Sequence, residues 1–411
     1  MAASMQSLFA SPNVVGIFVW GASGSGALHG LFDAHPEVLI VPAAHLENFH
    51  GAEWARLALQ DGAPAMARAF VEAHPSAFDG TPGPGRAAPL PVDADAFVEH
   101  VSRLLVTGAE ITRRDFFIAL HVAYALARGE DVSRKTTILY HLRSPEAYAT
   151  IEAVLEDFPY LRAIGVTREP LGSLLSRLRE NALEAHTTGH DENAGYGQVA
   201  ADGDYNVAYR HQLIGWRELR ARFPMPFWTL RIEDLQRDTE AQLRALVAWL
   251  AVGWDPCLTR SAFDGSDGRD ALDPGAATSE AAFDALDRYV FEGLLGRARR
   301  ELDYGEADRT QRLLAPVLAL LPTKLERVAL LTPTGEGLGR RLQRVRATLG
   351  NMMARQAFSC RHVLCEEWPS LRTRLPPPAP LRPRPSETAA VSDPPGSGAG
   401  QTHETPGAAT C

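Results

Sequence analysis

The most constraining feature of the sequence is a short apolar run that ends directly in a glycine-rich segment. Residues Val14 to Trp20 read VVGIFVW, and Gly21 to Gly26 read GASGSG. A continuous apolar run bounded by glycine predicts a strand buried on both faces of a parallel sheet. The residues that follow, ALHGLFDAH, predict a short helix that ends before Pro36. The chain is therefore expected to begin with a strand, a tight loop and a helix, the first unit of an α/β fold.

Further apolar runs along the chain predict more strands, separated by helical patterns. These predicted strands are Val38 to Val41, Thr136 to Leu142, Leu161 to Val166 and Phe227 to Ile232. Strands that alternate with helices form a parallel sheet, and such sheets bind ligands at the carboxyl ends of their strands. The predicted fold class is α/β, a P-loop-like three-layer fold with a central parallel sheet and a helical insertion and extension.

Helical patterns outside this alternation define the expected domain organisation. One α/β domain is predicted over residues 1–375, with a helical insertion at about 46–130 and a helical extension at about 256–375. Residues 376–411 are rich in proline and glycine and lack an apolar pattern. They are predicted to form a disordered tail.

Composition narrows the class of partners and the compartment. The formal net charge of -9 gives no global attraction to nucleic acid or to an anionic membrane. Four cysteines in 411 residues are too few for a secreted disulfide framework, and their spacing fits no usual zinc pattern, so no metal is expected. The N-terminus lacks a signal-peptide pattern, and no apolar run is long enough to span a membrane. A cytoplasmic protein is expected, with no indication of its oligomeric state.

The glycine-rich loop predicts a site for an anion. In a loop between a strand and a helix, successive backbone N–H groups converge on an anion at the helix N-terminus. The residues expected to contact it are Gly21, Ser23, Gly24, Ser25, Gly26 and Ala27. A nucleotide triphosphatase loop would continue with Lys and Ser or Thr, where this sequence has Ala27 and Leu28, which disfavours ATP-dependent phosphoryl transfer. A glycine-rich turn without a ligand is the alternative interpretation.

A second phosphate site is predicted at the end of the fourth strand. Arg168 follows that strand, Pro170 starts a helix, and Ser176 lies eight residues after the arginine. An arginine at the carboxyl end of a strand can bind a phosphate through two N–H groups, and the serine hydroxyl on the next helix faces the same crevice. The alternative is a structural arginine and an ordinary serine on a helix face.

These segments together resemble the sulfotransferase family. The loop resembles Gly-x-Pro-Arg/Lys-Ser-Gly-Thr-Thr, and Asp33-Ala34-His35-Pro36 matches the end of the helix after it. The segment from Arg168 to Ser176 resembles the family's Arg-Asp/Glu-Pro phrase and its serine, and residues 227–235 resemble its strand followed by Tyr-Glu-Asp-Leu. The resemblance implies that the chain binds the donor 3′-phosphoadenosine 5′-phosphosulfate (PAPS), with the loop on the phosphosulfate and Arg168 with Ser176 on the 3′-phosphate. In this sequence the family's loop cation falls on Gly24, and Leu28 replaces the second threonine.

The resemblance also suggests catalytic residues. Lys135 resembles the lysine of a Lys-Thr segment that supplies a cation in some branches, and its alternative is an exposed residue at the start of a strand. The expected base follows the second strand, where Glu47 is preferred and His45 and His50 are the other candidates. Each could instead be a surface polar residue. His141, late in the third strand, could also reach the crevice, and its alternative is a satisfied core histidine.

The predicted function is that of a PAPS-dependent sulfotransferase, an enzyme that moves a sulfuryl group to a hydroxyl or an amine of a small molecule or sugar. A catalytically impaired relative that still binds the nucleotide is one alternative, and a degenerate P-loop nucleotide kinase is another. No segment of the sequence identifies the acceptor.

Overall fold

A computed structural model of the chain describes residues 3–18, 23–41, 46–79, 91–105, 110–142, 148–186, 209, 219–223, 225–259, 283–305, 307–331 and 338–367. Within these ranges the side chains of a few residues are not described, among them those of Glu47 and of residues 179–186. The predicted disordered tail lies outside the described residues.

The centre of the fold is a five-stranded sheet in which every pairing is parallel, in the order β2-β3-β1-β4-β5. The strands are β1 (Asn13–Phe18), β2 (Val38–Leu39), β3 (Thr137–Leu142), β4 (Arg162–Thr167) and β5 (Phe227–Arg231). The apolar runs in the sequence form these strands because both faces of the sheet are covered, which favours unbroken apolar stretches. The predicted α/β fold class with a central parallel sheet is confirmed.

The register of the sheet brings the ends of the strands to one edge. Phe18, the last residue of β1, is opposite Leu142 of β3 and Gly165 of β4, and Thr167 of β4 is opposite Arg231 of β5. We call the side where these strands end the carboxyl edge, and the side where they begin the amino edge. The glycine-rich loop and Arg168 both leave the sheet at the carboxyl edge.

Helices cover the sheet and extend beyond it. The helices of the described residues are α1 (Ala3–Ala10), α2 (Ser25–Leu31), α3 (Trp54–Leu57), α4 (Gly62–Ala73), α5 (Ala94–Leu104), α6 (Arg113–Ala127), α7 (Tyr148–Asp157), α8 (Pro170–His186), α9 (Ile232–Arg237), α10 (Thr239–Leu250), α11 (Ala285–Leu294), α12 (Gly296–Glu301), α13 (Arg309–Leu318), α14 (Lys324–Leu331) and α15 (Leu338–His362). Helices α3 to α6 lie in the predicted insertion, and α11 to α15 lie in the predicted extension. The division into insertion and extension stays a prediction. Among the described helices, none has the length and apolar character needed to cross a membrane.

Alternate side chains of β1 pack into two separate hydrophobic cores, one on each face of the sheet. In β1, Val14 and Phe18 pack with helices α4 to α6 on one face, whereas Val15 and Ile17 pack with α2 and α10 on the other. Successive side chains of a strand point to opposite faces, so this alternation produces three layers.

A third core joins α8 to the C-terminal helices. Leu171, Leu174, Leu175 and Leu178 of α8 are buried against apolar residues of α11, α13 and α14 and the segment after α15. Because α8 follows β4 directly, the C-terminal helices are attached to the carboxyl edge of the sheet.

Candidate functional site

The glycine-rich loop adopts a backbone that requires glycine at one position. Gly24 caps α2 with a φ of 89°, in the left-handed region, and its carbonyl accepts the first helical hydrogen bond from the N–H of Leu28 at 3.1 Å. A Cβ atom at this position would lie 2.6 Å from Cδ1 of Ile232. Both the backbone angle and the close contact exclude a larger residue without rearrangement. Arginine or lysine therefore cannot occupy position 24, where the resemblance predicts the family's cation, without rearrangement.

A serine hydroxyl in the same loop has no hydrogen-bond partner among the described residues. Ser23 is 2% exposed, and its Oγ has no hydrogen bond within the described part of the chain. A buried hydroxyl without a partner is unfavourable, so such a group often marks a place where a ligand binds. Ser25, Gly26 and Ala27 form the first turn of α2 behind it, and Gly21 lies outside the described residues. The loop thus presents helix N–H groups and an unused hydroxyl at the carboxyl edge.

The second predicted site is assembled at the end of β4. Arg168 follows β4, and its Nη1 donates a hydrogen bond of 2.7 Å to Oγ of Ser176 on α8. Both residues are half-buried, and within the described residues Ser176 is the only hydrogen-bond partner of the guanidinium. The structure brings these two residues together as their spacing predicts, and other N–H groups of Arg168 are left for a ligand.

A hydrogen-bonded network lies next to Arg168 in the chain. Glu169 accepts a hydrogen bond of 2.7 Å from the N–H of Gly172 and so caps α8, and its own N–H donates to Oε1 of Glu233 at 2.9 Å. The hydroxyl of Tyr304 donates to Oε2 of the same Glu233 at 2.7 Å. The position of Glu169 just before Pro170 is a sequence signal for a helix cap, but nothing in the sequence links Tyr304 to this edge.

The expectation that Lys135 supplies a catalytic cation is wrong. Lys135 is 4% exposed and precedes β3, so it lies at the amino edge, at the opposite end of the strand from the loop. Its Nζ donates to the carbonyl oxygens of His35 at 3.0 Å and Val38 at 2.9 Å and to the carboxylate of Glu130 at 2.7 Å. An ammonium group has no further N–H to offer once these contacts are made. Lys135 is a structural residue that ties β2 to β3.

The candidate bases after β2 are only partly described. Glu47 lies in a single helical turn, Leu46–Asn48, but its side chain is not described, and His45 lies outside the described residues. His50 is buried, and neither ring nitrogen makes a hydrogen bond within the described residues. Its Nε2 lies 3.5 Å from Oδ2 of Asp157 without the alignment of a hydrogen bond.

His50 is a poor base in this setting. Burial, with smaller contributions from Arg113 and His121, lowers the pKa of His50 to about 3. A base whose conjugate acid has such a pKa accepts a proton weakly near neutral pH. Glu47 and His45 stay the proposed bases.

His141 contacts the first turn of α2, next to the glycine-rich loop. It is buried in β3, its Nε2 donates a long hydrogen bond of 3.4 Å to the carbonyl oxygen of Ser25, and its ring lies against that of His29 with 4.4 Å between centroids. This placement agrees with the alternative interpretation, that His141 is a core histidine with its hydrogen bonds satisfied. The residue also reaches the first turn of α2.

Within the described residues, no three His, Cys, Asp or Glu side chains come together as they would around a metal ion. The candidate site comprises the loop, the Arg168–Ser176 pair and the residues that hold them.

Comparisons with known proteins agree with the resemblance seen in the sequence. The model of the sulfotransferase family matches residues 16–256, more than half of the chain. No curated protein matches the sequence.

Three solved structures are distantly similar. The sulfotransferase domain of the Synechococcus PCC 7002 olefin synthase is 16% identical with a TM-score of 0.37, covering 83% of this chain and 94% of its own. The sulfotransferase domain from the curacin biosynthetic pathway is 15% identical with a TM-score of 0.35, covering 74% and 97%. Sulfotransferase STF9 from Mycobacterium avium is 16% identical with a TM-score of 0.32, covering 68% and 79%. Nothing about the substrate of this chain follows from likenesses at this distance.

Proposed function

The chain belongs to the sulfotransferase family, and from this premise we propose that it is a cytoplasmic enzyme that transfers a sulfuryl group from PAPS to a hydroxyl or an amine of a small molecule or sugar. The observation that carries the proposal is the contact of Arg168 with Ser176 at the carboxyl edge. An arginine and a hydroxyl held together at a strand end suit the 3′-phosphate that distinguishes this donor from ordinary adenine nucleotides.

The loop suits the other end of the donor. The N–H groups at the start of α2 can bind oxygens of the phosphosulfate, and the unpartnered hydroxyl of Ser23 can donate to one of them. In the transfer, the bond between the sulfur and the bridging oxygen breaks while a bond between the acceptor oxygen or nitrogen and the sulfur forms. The acceptor proton passes to a base, for which Glu47 or His45 is proposed, and 3′,5′-adenosine bisphosphate leaves.

A separate observation favours a second candidate function. Gly24 cannot carry a cation without rearrangement, and Lys135 is fully occupied at the amino edge. A sulfuryl transfer that lacks a cation loses one source of transition-state stabilisation. A protein that binds the donor nucleotide without turning it over is therefore the alternative, and a degenerate nucleotide kinase is disfavoured by Ala27 and Leu28.

One experiment in two stages tests the proposal. Calorimetry compares binding of 3′,5′-adenosine bisphosphate with binding of 5′-AMP, and PAPS is then incubated with a panel of hydroxylated and amino acceptors. A preference for the bisphosphate followed by sulfated products supports the enzyme. The same preference without any product supports the binding protein, and equal affinity for both nucleotides contradicts both.

A further inference from the structure

A hydrogen-bonded chain connects the C-terminal helices to the residue next to Arg168. The hydroxyl of Tyr304, just after α12, donates to Oε2 of Glu233 at 2.7 Å, and Oε1 of Glu233 accepts from the N–H of Glu169 at 2.9 Å. Burial and the neighbouring carboxylate of Glu233 raise the pKa of Tyr304 above its usual range, so the phenol keeps its proton and donates it. Glu233 is thereby held at both of its oxygens.

A cation from the same C-terminal segment faces the side chain of Glu169. Nη1 of Arg299 lies 3.3 Å from Oε1 of Glu169, while Oε2 accepts the N–H of Gly172 in the first turn of α8. Arg299 and Tyr304 also fix one another, because the N–H of Tyr304 donates to the carbonyl oxygen of Arg299 at 2.7 Å. Both the backbone and the carboxylate of Glu169 are therefore restrained from the C-terminal segment.

This restraint acts on the two groups that bind phosphate in the proposed function. Glu169 shares a peptide bond with Arg168, so the Tyr304–Glu233 contact fixes the backbone from which the guanidinium extends. Glu169 also caps α8, the helix that carries Ser176, so its position sets where the hydroxyl lies relative to the guanidinium. A displacement of Glu169 would change the geometry of both groups at once.

We propose that Tyr304 and Arg299 are positioning residues for the 3′-phosphate subsite, acting through Glu233 and Glu169 on Arg168 and Ser176. The proposal rests on the proposed function. Both positioning residues lie beyond residues 16–256, the part of the chain that matches the family. The C-terminal helices would thus contribute to recognition of the donor and not only to the bulk of the fold.

The principal test is Tyr304→Phe, which removes one hydroxyl and keeps the ring. Affinities for 3′,5′-adenosine bisphosphate and 5′-AMP are measured by calorimetry in the parent and in the variant. We expect about three- to tenfold weaker binding of the bisphosphate, because the guanidinium is less well placed, and less than about twofold change for 5′-AMP. Tyr160→Phe is the matched control, since Tyr160 is 68% exposed and lies in the turn before the amino end of β4.

A second pair of variants covers the case in which Tyr304→Phe fails to fold. Arg299→Gln should lower the preference for the bisphosphate, and Arg299→Lys, which keeps the charge beside Glu169, should restore most of it. The ratio of the two affinities is the decisive readout, because a purely structural role would weaken both nucleotides alike.

The outcomes separate this inference from the function it rests on. A parent that prefers the bisphosphate, with the same ratio in Tyr304→Phe and Arg299→Gln, overturns the positioning role and leaves the proposed function standing. An equal loss for both nucleotides also overturns it. A parent without any preference overturns the proposed function itself.

Discussion

Gly24 lies so close to Ile232 that a Cβ atom on the glycine would come within 2.6 Å of the isoleucine Cδ1. The contact joins the loop after β1 to the first residue of α9, which follows β5. The backbone at Gly24 is left-handed and the space beside it is filled, so glycine suits this position. Packing between two neighbouring parts of the carboxyl edge thus leaves no room for a charged side chain at this position without rearrangement.

Gly24→Ala should destabilise the protein. A non-glycine residue in the left-handed region costs about 1–2 kcal/mol, and overpacking against Ile232 adds about 1–3 kcal/mol. Urea unfolding without nucleotide measures the loss. Gly26→Ala is the matched control, since its Cβ would meet nothing within 4 Å, and it should be neutral or slightly stabilising. Equal stability of the two variants would contradict the packing argument.

Arg168→Gln should remove the preference for the 3′-phosphate. A charged bidentate contact is commonly worth about 1.5–3 kcal/mol, so binding of 3′,5′-adenosine bisphosphate should weaken roughly ten- to hundredfold while 5′-AMP changes little. Calorimetry with both nucleotides checks this. Arg103→Gln on α5, where the arginine is 67% exposed and pairs with Glu99, is the control and should bind as the parent does. Retention of the preference in Arg168→Gln would assign the phosphate to other residues.

The Lys135→Ala variant should have a lower free energy of unfolding than the parent. Its affinity for the nucleotide, measured on the folded protein, should be unchanged. The substitution removes the donor of two carbonyl oxygens and one of the two cations beside Glu130, which keeps its ion pair with Arg128. Breaking a buried ion pair costs about 3–5 kcal/mol, and the loss is smaller here because Glu130 is partly exposed and stays paired. Denaturant unfolding and calorimetry on the folded protein test the two halves of the statement. Lys324→Ala, at the chain's other lysine, is the control. A variant of parental stability that has lost turnover would revive the catalytic role.

Stability should fall as the pH drops below about 6.5. Burial is the main cause that lowers the pKa of His50 to about 3 and that of His121 to about 4, from an unfolded value of 6.5. Between these pKa values the unfolded chain binds more protons than the native one. Each histidine therefore lowers the free energy of unfolding by up to about 1.4 kcal/mol per pH unit as the pH decreases. The difference between the free energies of unfolding at pH 7 and at pH 5 should be smaller in His50→Phe than in the parent. An unchanged slope in that variant would show that His50 titrates normally.

Glu47→Gln should reduce turnover strongly if Glu47 is the base. General base catalysis typically contributes about 10²–10⁴ in rate, while donor affinity should stay within about twofold. His45→Gln is the competing variant, assayed in parallel with PAPS and a responsive acceptor. A loss confined to His45→Gln would transfer the role to that residue, and parental rates in both would exclude the segment after β2.

The sheet was predictable because its strands are continuous apolar runs next to glycine and proline. All five predicted strands are present, with ends shifted by at most a few residues. The contact of Arg168 with Ser176 was predictable for a related reason: a strand end and the next helix fix the distance between two residues that are close in sequence.

The remainder of the site depends on contacts between distant segments. Lys135 was misassigned because its resemblance to a family segment outweighed its place before a strand, which in a parallel sheet is the amino edge. Its partners at His35 and Val38 appear only in the fold. Tyr304 was missed because its contact with Glu233 arises from the packing of the C-terminal helices. No sequence pattern connects two residues that are 71 positions apart.

The leucine face of α8 depends on the C-terminal helices for its burial. Leu171, Leu174, Leu175 and Leu178 are buried by helices that lie outside residues 16–256, the span that the family model matches. A homologue without those helices would expose this face to water, so it should carry polar side chains at the corresponding positions or cover them with another subunit.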